Sequence, residues 1–394
     1  MRNKAKLICG ALCLLLCTAC GTTEPIETAN ETLVGDGVLA VPTPDPIPEP
    51  ESTPEPEPIP DPIADLMATM TLEEKVGQLF FVRVPADSQV DDVASYHLGG
   101  YILFGRDTAD QTADSLTATI ASYQENATIP LLIGVDEEGG TVVRVSSNSN
   151  LRSSKFLSPQ KLYNNGGFST IAQDAVEKTE LLQSLGFNVN LAPVADVSTS
   201  ASDFIYSRTL GQEATATATY VETVVAEMDA LSMGSALKHF PGYGDNIDTH
   251  TGIAVDNRTV DSFLESDFLP FQAGVDTAPN TTSILVSHNI ITAVDEGYPA
   301  SLSAPVHDWL RQELGFDGVV MTDDLAMDAV AAYAEDGNVS TLAILAGNDM
   351  VITSDYRTQI PKTIEAVENG TLSMERVEEA CTRVLRWKQS LGLI

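Results

Sequence analysis

The stretch Met233-Gly234-Ser235-Ala236-Leu237-Lys238-His239-Phe240-Pro241-Gly242-Tyr243-Gly244-Asp245-Asn246-Ile247-Asp248-Thr249-His250 decides how this chain is read. Its first five residues are small or apolar, Lys238 and His239 end the run, and Pro241, Gly242 and Gly244 turn the backbone at once. An apolar segment that stops at a charged pair and turns reads as a strand ending in a polar cleft. Asp248 and His250 then follow two positions apart in the same loop.

The same punctuation recurs on both sides. Apolar runs of strand length lie at 80–84, 100–104, 131–135, 188–193, 234–239, 284–287, 318–321 and 350–352. Helical periodicity fills 110–124, 171–185, 212–231, 304–313, 339–346, 359–369 and 374–388. Thr71-Leu72-Glu73-Glu74 supplies a helix cap with Glu74 at the third helical position. Strands alternating with helices through one domain predict an α/β fold, a (β/α)8 barrel of the TIM type, over 63–394. Asp136, Asp196, Lys238, His239, His288, Asp323 and Asp355 each fall at or just past a strand end. In a barrel those ends share one rim, where sites are built.

Further out, the N-terminus changes character. Arg2, Lys4 and Lys6 precede an apolar run at 7–17, too short for an ordinary membrane span but suited to an export signal. Leu16-Cys17-Thr18-Ala19-Cys20-Gly21 resembles a bacterial lipoprotein processing site, which implies a signal peptide over 1–19, a lipidated Cys20 and an extracytoplasmic, membrane-anchored protein. Of the five cysteines, four lie in the first 20 residues, so cleavage before Cys20 leaves Cys381 as the remaining thiol and no intramolecular disulfide is expected. Residues 20–62 read as a linker. Prolines recur at nearly every second position from Pro42 to Pro62, interleaved with Asp45, Glu49, Glu51, Glu55, Glu57 and Asp61. That composition favours extended polyproline II, at roughly 3.1 Å per residue, and builds no core.

Charge narrows the partners. Acidic residues number 56 against 21 basic ones, a net charge of -35, which argues against a nucleic-acid backbone as the natural guest.

The motifs together resemble the β-N-acetylhexosaminidase branch of glycoside hydrolase family 3, the single-barrel type associated with peptidoglycan fragments. The resemblance covers about 63–394. It rests on Ile133-Gly134-Val135-Asp136-Glu137-Glu138-Gly139-Gly140 with Arg144, on Leu191-Ala192-Pro193 to Asp196 with Arg208, and on Lys238 to Gly244 with Asp248 and His250. His288 and Val320-Met321-Thr322-Asp323-Asp324-Leu325-Ala326-Met327 complete it. Val384 to Leu393 looks like the closing helix of the barrel, with no second domain expected after it.

The resemblance implies a retaining hydrolase that releases terminal β-linked N-acetylglucosamine through a covalent glycosyl-enzyme intermediate, with a cell-wall muropeptide as the carbohydrate partner. Asp323 corresponds to the nucleophile, and His250, paired with Asp248, to the acid/base. A histidine suits that double task because its unperturbed pKa lies near 6.5. Asp136, Arg144, Arg208, Lys238, His239 and His288 correspond to sugar-holding residues. Arg144 and Arg208 have a plainer reading as ion-pair partners of Asp136 or Asp196, and His288 as a brace. Asp324 is expected to face away, since adjacent side chains of an extended strand point apart. Gly139-Gly140 reads as a tight turn at the rim, and 145–170 and 197–211 as rim loops.

Two departures from the branch stand out. Tyr243 occupies a position where His is common, and the interval from Gly244 to Asp248 is one residue short. A metal site built from Asp248, His250, His239 and His288 fits no familiar zinc spacing, so neither metal nor cofactor is expected. A β-glucosidase or xylosidase of the same family, a phosphorylase and a non-catalytic surface sugar-binding lipoprotein stay open as rivals.

Overall fold

Eight parallel strands close into a barrel in chain order. They are β1 (Phe80–Arg83), β2 (Gly100–Leu103), β3 (Leu132–Val135), β4 (Val189–Asn190), β5 (Gly234–Phe240), β6 (Thr282–Val286), β7 (Val320–Asp324) and β8 (Met350–Thr353). Pairing of β1 with both β2 and β8 completes the ring. The computed structural model describes residues 61–248, 252–333 and 337–394. The expected signal peptide, Cys20, nearly all of the linker and His250 lie outside the described residues.

Strand alternation divides the core into layers. Phe81, Leu132, Leu285 and Met321 point into the barrel and share a cluster with Val384, Trp387 and Leu391 at the chain's C-terminal end. Their neighbours Phe80, Val82, Ile133 and Val135 face outward into one helix-covered cluster, and Ile284, Val286 and Val320 into another. Because both faces are covered, the strands read as continuous apolar runs. The helix Met374–Ser390, started by the Ser373 side chain accepting from Arg376 N–H, brings Trp387 to the barrel, where Nε1 donates to Thr281 O at 3.0 Å.

The opening helix boundary is as expected. Thr71 Oγ1 accepts from Glu74 N–H at 3.2 Å while Glu74 Oε2 accepts from Thr71 N–H at 2.8 Å, a reciprocal cap on Leu72–Gln78. Three local features differ from the sequence reading. β4 is two residues long and stops short of Pro193, which has no N–H to donate. The helix expected from 171 begins at Pro159, seeded by the Ser158 cap, and is interrupted at Gly166 and Gly167, so part of the expected rim loop is helical. Between β5 and β6 an unexpected helical stretch runs Val260–Ser262, Phe263–Asp267 and Phe268–Thr277, with a π turn in its middle. The π turn puts Phe263 and Phe268 five residues apart, which hides the 3.6-residue period. Among the described residues no helix is long and apolar enough to cross a membrane.

Candidate active site

A cleft of about 490 Å³ opens at the C-terminal ends of the strands, lined among others by Asp136, Arg144, Arg208, Lys238, His239 and Asp323. A cleft of about 510 Å³ lies at the opposite end, against Thr282, Gly318 and Trp387. There Arg383 is already committed to Asp317, Asp349 and Glu379. Chemistry therefore points to the strand C-termini, where barrel sites are built.

Asp136, Glu137 and Glu138 follow β3, and each carboxylate has a separate task. Asp136 Oδ1 lies 2.7 Å from Lys238 Nζ. Glu137, fully buried, accepts from the backbone N–H groups of Arg144 at 2.8 Å and Val145 at 2.7 Å, and so folds the turn that presents the Arg144 side chain. Glu138 bridges two cations: Oε1 is 2.6 Å from Lys238 Nζ, and the carboxylate takes Arg208 Nε at 3.0 Å and Nη2 at 2.7 Å. Gly139 and Gly140, with φ of 100° and 67°, turn the chain away immediately. A Cβ on Gly139 would stand 2.2 Å from Leu157 O, so the tight turn is required.

The ionisation of this network follows from its geometry. Burial opposes charge on Glu138, but Arg208 and Lys238 outweigh it and hold the carboxyl well below the usual range. Burial likewise opposes charge on Arg208 and Lys238; Glu138 for the first, and Asp136 with Glu138 for the second, push both above their ordinary values. Fixed, fully ionised donors and acceptors are what a small polar ligand requires.

His239 is oriented from both sides. Nδ1 lies 2.8 Å from Asp196 Oδ2, and Nε2 lies 3.2 Å from Arg208 Nη2. Guanidinium only donates, so Nε2 accepts and Nδ1–H donates to the carboxylate, which defines the tautomer. Asp196, with no exposed surface, also accepts from the N–H groups of His239 at 3.1 Å and Tyr243 at 2.7 Å. Tyr243 sets its ring edge-on to His239 at 5.2 Å. The departure at 243 is thus a change in what supports His239.

Two bulges shape the rim. Between β5 and β6 the register runs from Leu237 opposite Ile284 to Phe240 opposite Val286, so three steps on β5 match two on β6. Between β7 and β8 it runs from Met321 opposite Met350 to Asp324 opposite Ile352, again three against two. Each bulge falls on an adjacent polar pair, and both members of each pair, Lys238 with His239 and Asp323 with Asp324, line the cleft. This corrects the expectation that Asp324 faces away: the alternation rule fails where the strand carries an extra residue. Asp323 Oδ1 accepts from Asp324 N–H at 2.8 Å, and Asp324 Oδ1 from Ala326 N–H at 3.0 Å. Burial, reinforced by the Asp323 charge and opposed by the Ala326 N–H, raises the Asp324 pKa.

The remaining expected residues fall elsewhere. His288 is fully buried, with Nδ1 2.7 Å from Ser301 Oγ and Nε2 3.0 Å from Asp324 O, so it stands behind β7 as a brace. Neither Asp248 nor His288 is among the cleft-lining residues, and His250 lies outside the described residues. Asp355 precedes the helix Tyr356–Glu368 and does not line the cleft. Sequence reasoning passed over Glu138, Arg83 and Phe104, all in the cleft wall. Arg83 ends β1 as Lys238 ends the apolar run of β5, so the strand-end rule reaches it too.

Fold and cleft together define a (β/α)8-barrel protein with a rim site suited to a polyhydroxylated ligand. The chain belongs to glycosyl hydrolase family 3, matching the family's N-terminal domain over residues 71–387. It is 27% identical over 329 residues to a protein named beta-hexosaminidase A from Pseudoalteromonas piscicida, covering 76% of this chain and 54% of that one. It is 29% identical over 340 residues to beta-hexosaminidase LpqI of Mycobacterium tuberculosis, covering 82% and 84%. Among solved structures, a family 3 beta-N-acetylglucosaminidase from a Paenibacillus species superposes with a TM-score of 0.76 at 28% identity, over 82% of this chain and 63% of that one. The chain thus spans a little over half of the first of these relatives and under two thirds of the third.

Proposed function

We propose that this protein is a retaining β-N-acetylhexosaminidase that removes terminal β-linked N-acetylglucosamine, with peptidoglycan fragments as its substrate and Cys20 as its lipid anchor outside the cytoplasmic membrane. The observation that carries the reading is the placing of Asp323 in one cleft with Asp136, Lys238, Arg208 and His239. In this reading the four hold the hydroxyls of the terminal sugar, and Arg144 adds a donor from the turn built on Glu137. The Asp323 carboxylate attacks C1; the C1–O bond breaks, and the leaving oxygen takes its proton from His250. Asp248 orients that histidine. Water then attacks C1, gives its proton to His250 and frees Asp323. His288 keeps the backbone of Asp324 in place through its bond to the carbonyl oxygen.

Support for the sugar comes from the names of the relatives at 27% and 29% identity. Support for the anchor comes from the sequence around Cys20 alone. The test is release from an aryl N-acetyl-β-glucosaminide beside an aryl β-glucoside, with wild type and Asp323→Asn. Cleavage of the N-acetyl substrate alone, lost in the variant, establishes the reading. Cleavage of the glucoside alone makes the protein a β-glucosidase, and cleavage of neither points to a phosphorylase, an aglycone-dependent enzyme or a sugar-binding protein.

A further inference from the structure

The dipeptide Asn-Gly occurs twice in this chain, as Asn165-Gly166 and as Asn369-Gly370. It carries its own chemistry, because glycine has no Cβ to hinder its nitrogen from closing on the carboxamide carbon of the residue before it. Both asparagines are exposed, so access does not separate them. Their surroundings do.

Asn369 is tied down on both sides of the reacting pair. It caps the helix Tyr356–Glu368, and its Oδ1 accepts from Thr371 N–H at 3.0 Å and from Thr371 Oγ1 at 2.6 Å. Gly370 N–H donates to Val367 O at 3.1 Å. The carboxamide is held toward Thr371 while the attacking nitrogen is engaged elsewhere, and these bonds must open before the two atoms meet.

Asn165 is held by none of this. Among the described residues no hydrogen bond fixes its side chain. It ends the first segment of Pro159–Ser184, which leaves helical geometry at Gly166 (φ -176°, ψ 19°) and Gly167 (φ 65°, ψ -152°). The rotation that brings carbon to nitrogen therefore opens a helix end and not a helix interior. The rings of Tyr163 and Phe168, 5.2 Å apart, keep a contact across the break.

Charge favours the same site. Between Glu138 and Asp174 the sequence has no acidic residue and four basic ones, Arg144, Arg152, Lys155 and Lys161, in a chain where acids outnumber bases 56 to 21. Lys161 lies four residues before Asn165 in one helical segment, the spacing of neighbouring side chains. A positive neighbour favours loss of the amide proton that attack requires, and it offsets the carboxylate that results. Asn369 instead follows Glu365 and Glu368.

We propose that Asn165 is a site of spontaneous deamidation through Gly166, and that Asn369, in the same dipeptide, is protected. The Gly166 nitrogen attacks Asn165 Cγ; the N–Cγ bond forms, the Cγ–Nδ2 bond breaks, and ammonia leaves with the amide proton. Water then opens the succinimide. Opening at Cγ leaves aspartate, whereas opening at the main-chain carbonyl leaves isoaspartate, whose backbone runs through Cγ and is one atom longer. The extra atom falls at a joint that supports the cleft. Pro159 and Leu162, in the segment that Asn165 ends, share a small cavity wall with Glu138. Ser158 stands so close behind Gly140 that a Cβ there would meet its Cβ at 2.7 Å.

The test is to hold the full-length protein at mildly alkaline pH and map its peptides by mass spectrometry over time. A gain of about 1 Da is expected in the peptide containing Asn165, as both aspartate and isoaspartate. It should accumulate roughly tenfold or more faster than at Asn369, the factor that the hydrogen bonds at Asn369 and Gly370 supply. In denaturant the two rates should converge. Asn165→Gln should abolish the gain at that peptide and leave Asn369 unaffected, because glutamine would have to close a larger ring. No gain at Asn165, a rate no faster than at Asn369 in the folded protein, or aspartate without isoaspartate overturns the proposal, and a ratio that persists in denaturant overturns its structural cause. The isoaspartyl fraction is expected to melt below Asn165→Asp, which carries the charge without the extra atom; equal melting temperatures overturn the link to the cleft.

Discussion

Lys238 Nζ lies 2.6 Å from Glu138 Oε1, with the two side chains only 3% and 2% exposed, so the floor of the cleft is a buried ion pair that Arg208 extends. Removing one partner of such a pair strands the others without compensation, at a cost on the order of 3–5 kcal/mol. Glu138→Gln is therefore expected to lower the melting temperature sharply as well as to weaken substrate binding. The sign with pH is fixed. Glu138 is held below the usual carboxylate range in the folded protein, so its stabilisation is present above its unfolded value, about 4.3, and is lost as pH falls below it. Thermal unfolding from pH 6 down to pH 3 should show a shallower acid loss in Glu138→Gln than in wild type; equal slopes would show that Glu138 does not link folding to protons.

Asp323 and Asp324 share the bulge at the end of β7, and the proposed roles differ. Asp323→Asn is expected to lower kcat by about three orders of magnitude or more, because no other group then attacks C1. Asp324→Asn should cost far less and alter the pH profile instead. Its charge and that of Asp323 repel one another, so replacing it with a neutral amide should move the acid limb of kcat/KM to lower pH. Mass spectrometry with a slow fluorinated substrate supplies the check: a trapped adduct is expected on Asp323, and one on Asp324 would reverse the two roles.

The barrel was legible because each strand is covered on both faces, which leaves apolar runs such as Phe80–Arg83 and Met350–Thr353 plain in the sequence. Lys238, His239, Asp136 and Asp323 were legible because polarity begins where a strand ends. Register was not. Whether Asp324 faces the cleft depends on one extra residue between paired strands, and the residues 320–324 read alike with or without it. The helix after β5 was hidden for a related reason, a π turn that breaks the 3.6-residue period at Phe263–Asp267. The division of labour among Asp136, Glu137 and Glu138 depends on partners up to 102 positions away, such as Lys238, which local pattern does not encode.

Anchoring through Cys20 predicts a separable behaviour. Cys20→Ser should shift the protein from the membrane fraction to the soluble one and leave kcat on an aryl substrate unchanged, because the change lies outside the barrel. Retention of Cys20→Ser in membranes after a high-salt wash would show that acylation is not what holds the protein.

Arg258 ties both ends of the loop that carries Asp248 and His250. Nη2 donates to Gly242 O at 2.9 Å at its start and to Asp256 Oδ2 at 2.8 Å at its end, while Nη1 lies 2.9 Å from Asp267 Oδ2 beneath. Asn246 adds a second tie, donating to the same Asp256 oxygen at 2.7 Å. Gly242 has φ of 124° and no room for a Cβ, which would stand 2.1 Å from Asp267 Oδ1. If this loop delivers the acid/base, Arg258→Ala should lower kcat with little change in KM, and Arg258→Lys should recover only part, lacking the planar fork. Asp267 gives an independent readout. Burial pushes its pKa up to about 7 despite Arg258, with Asp196 and Asp256 adding to the rise. A carboxyl raised on folding stabilises most below its unfolded value, near 3.9, and that contribution is lost as pH climbs through about 7. Melting temperatures between pH 5 and pH 8 should therefore fall less steeply in Asp267→Asn than in wild type. A matching change in the pH dependence of kcat would place the clamp in the catalytic cycle, whereas unaltered kcat in both Arg258 variants would confine it to stability.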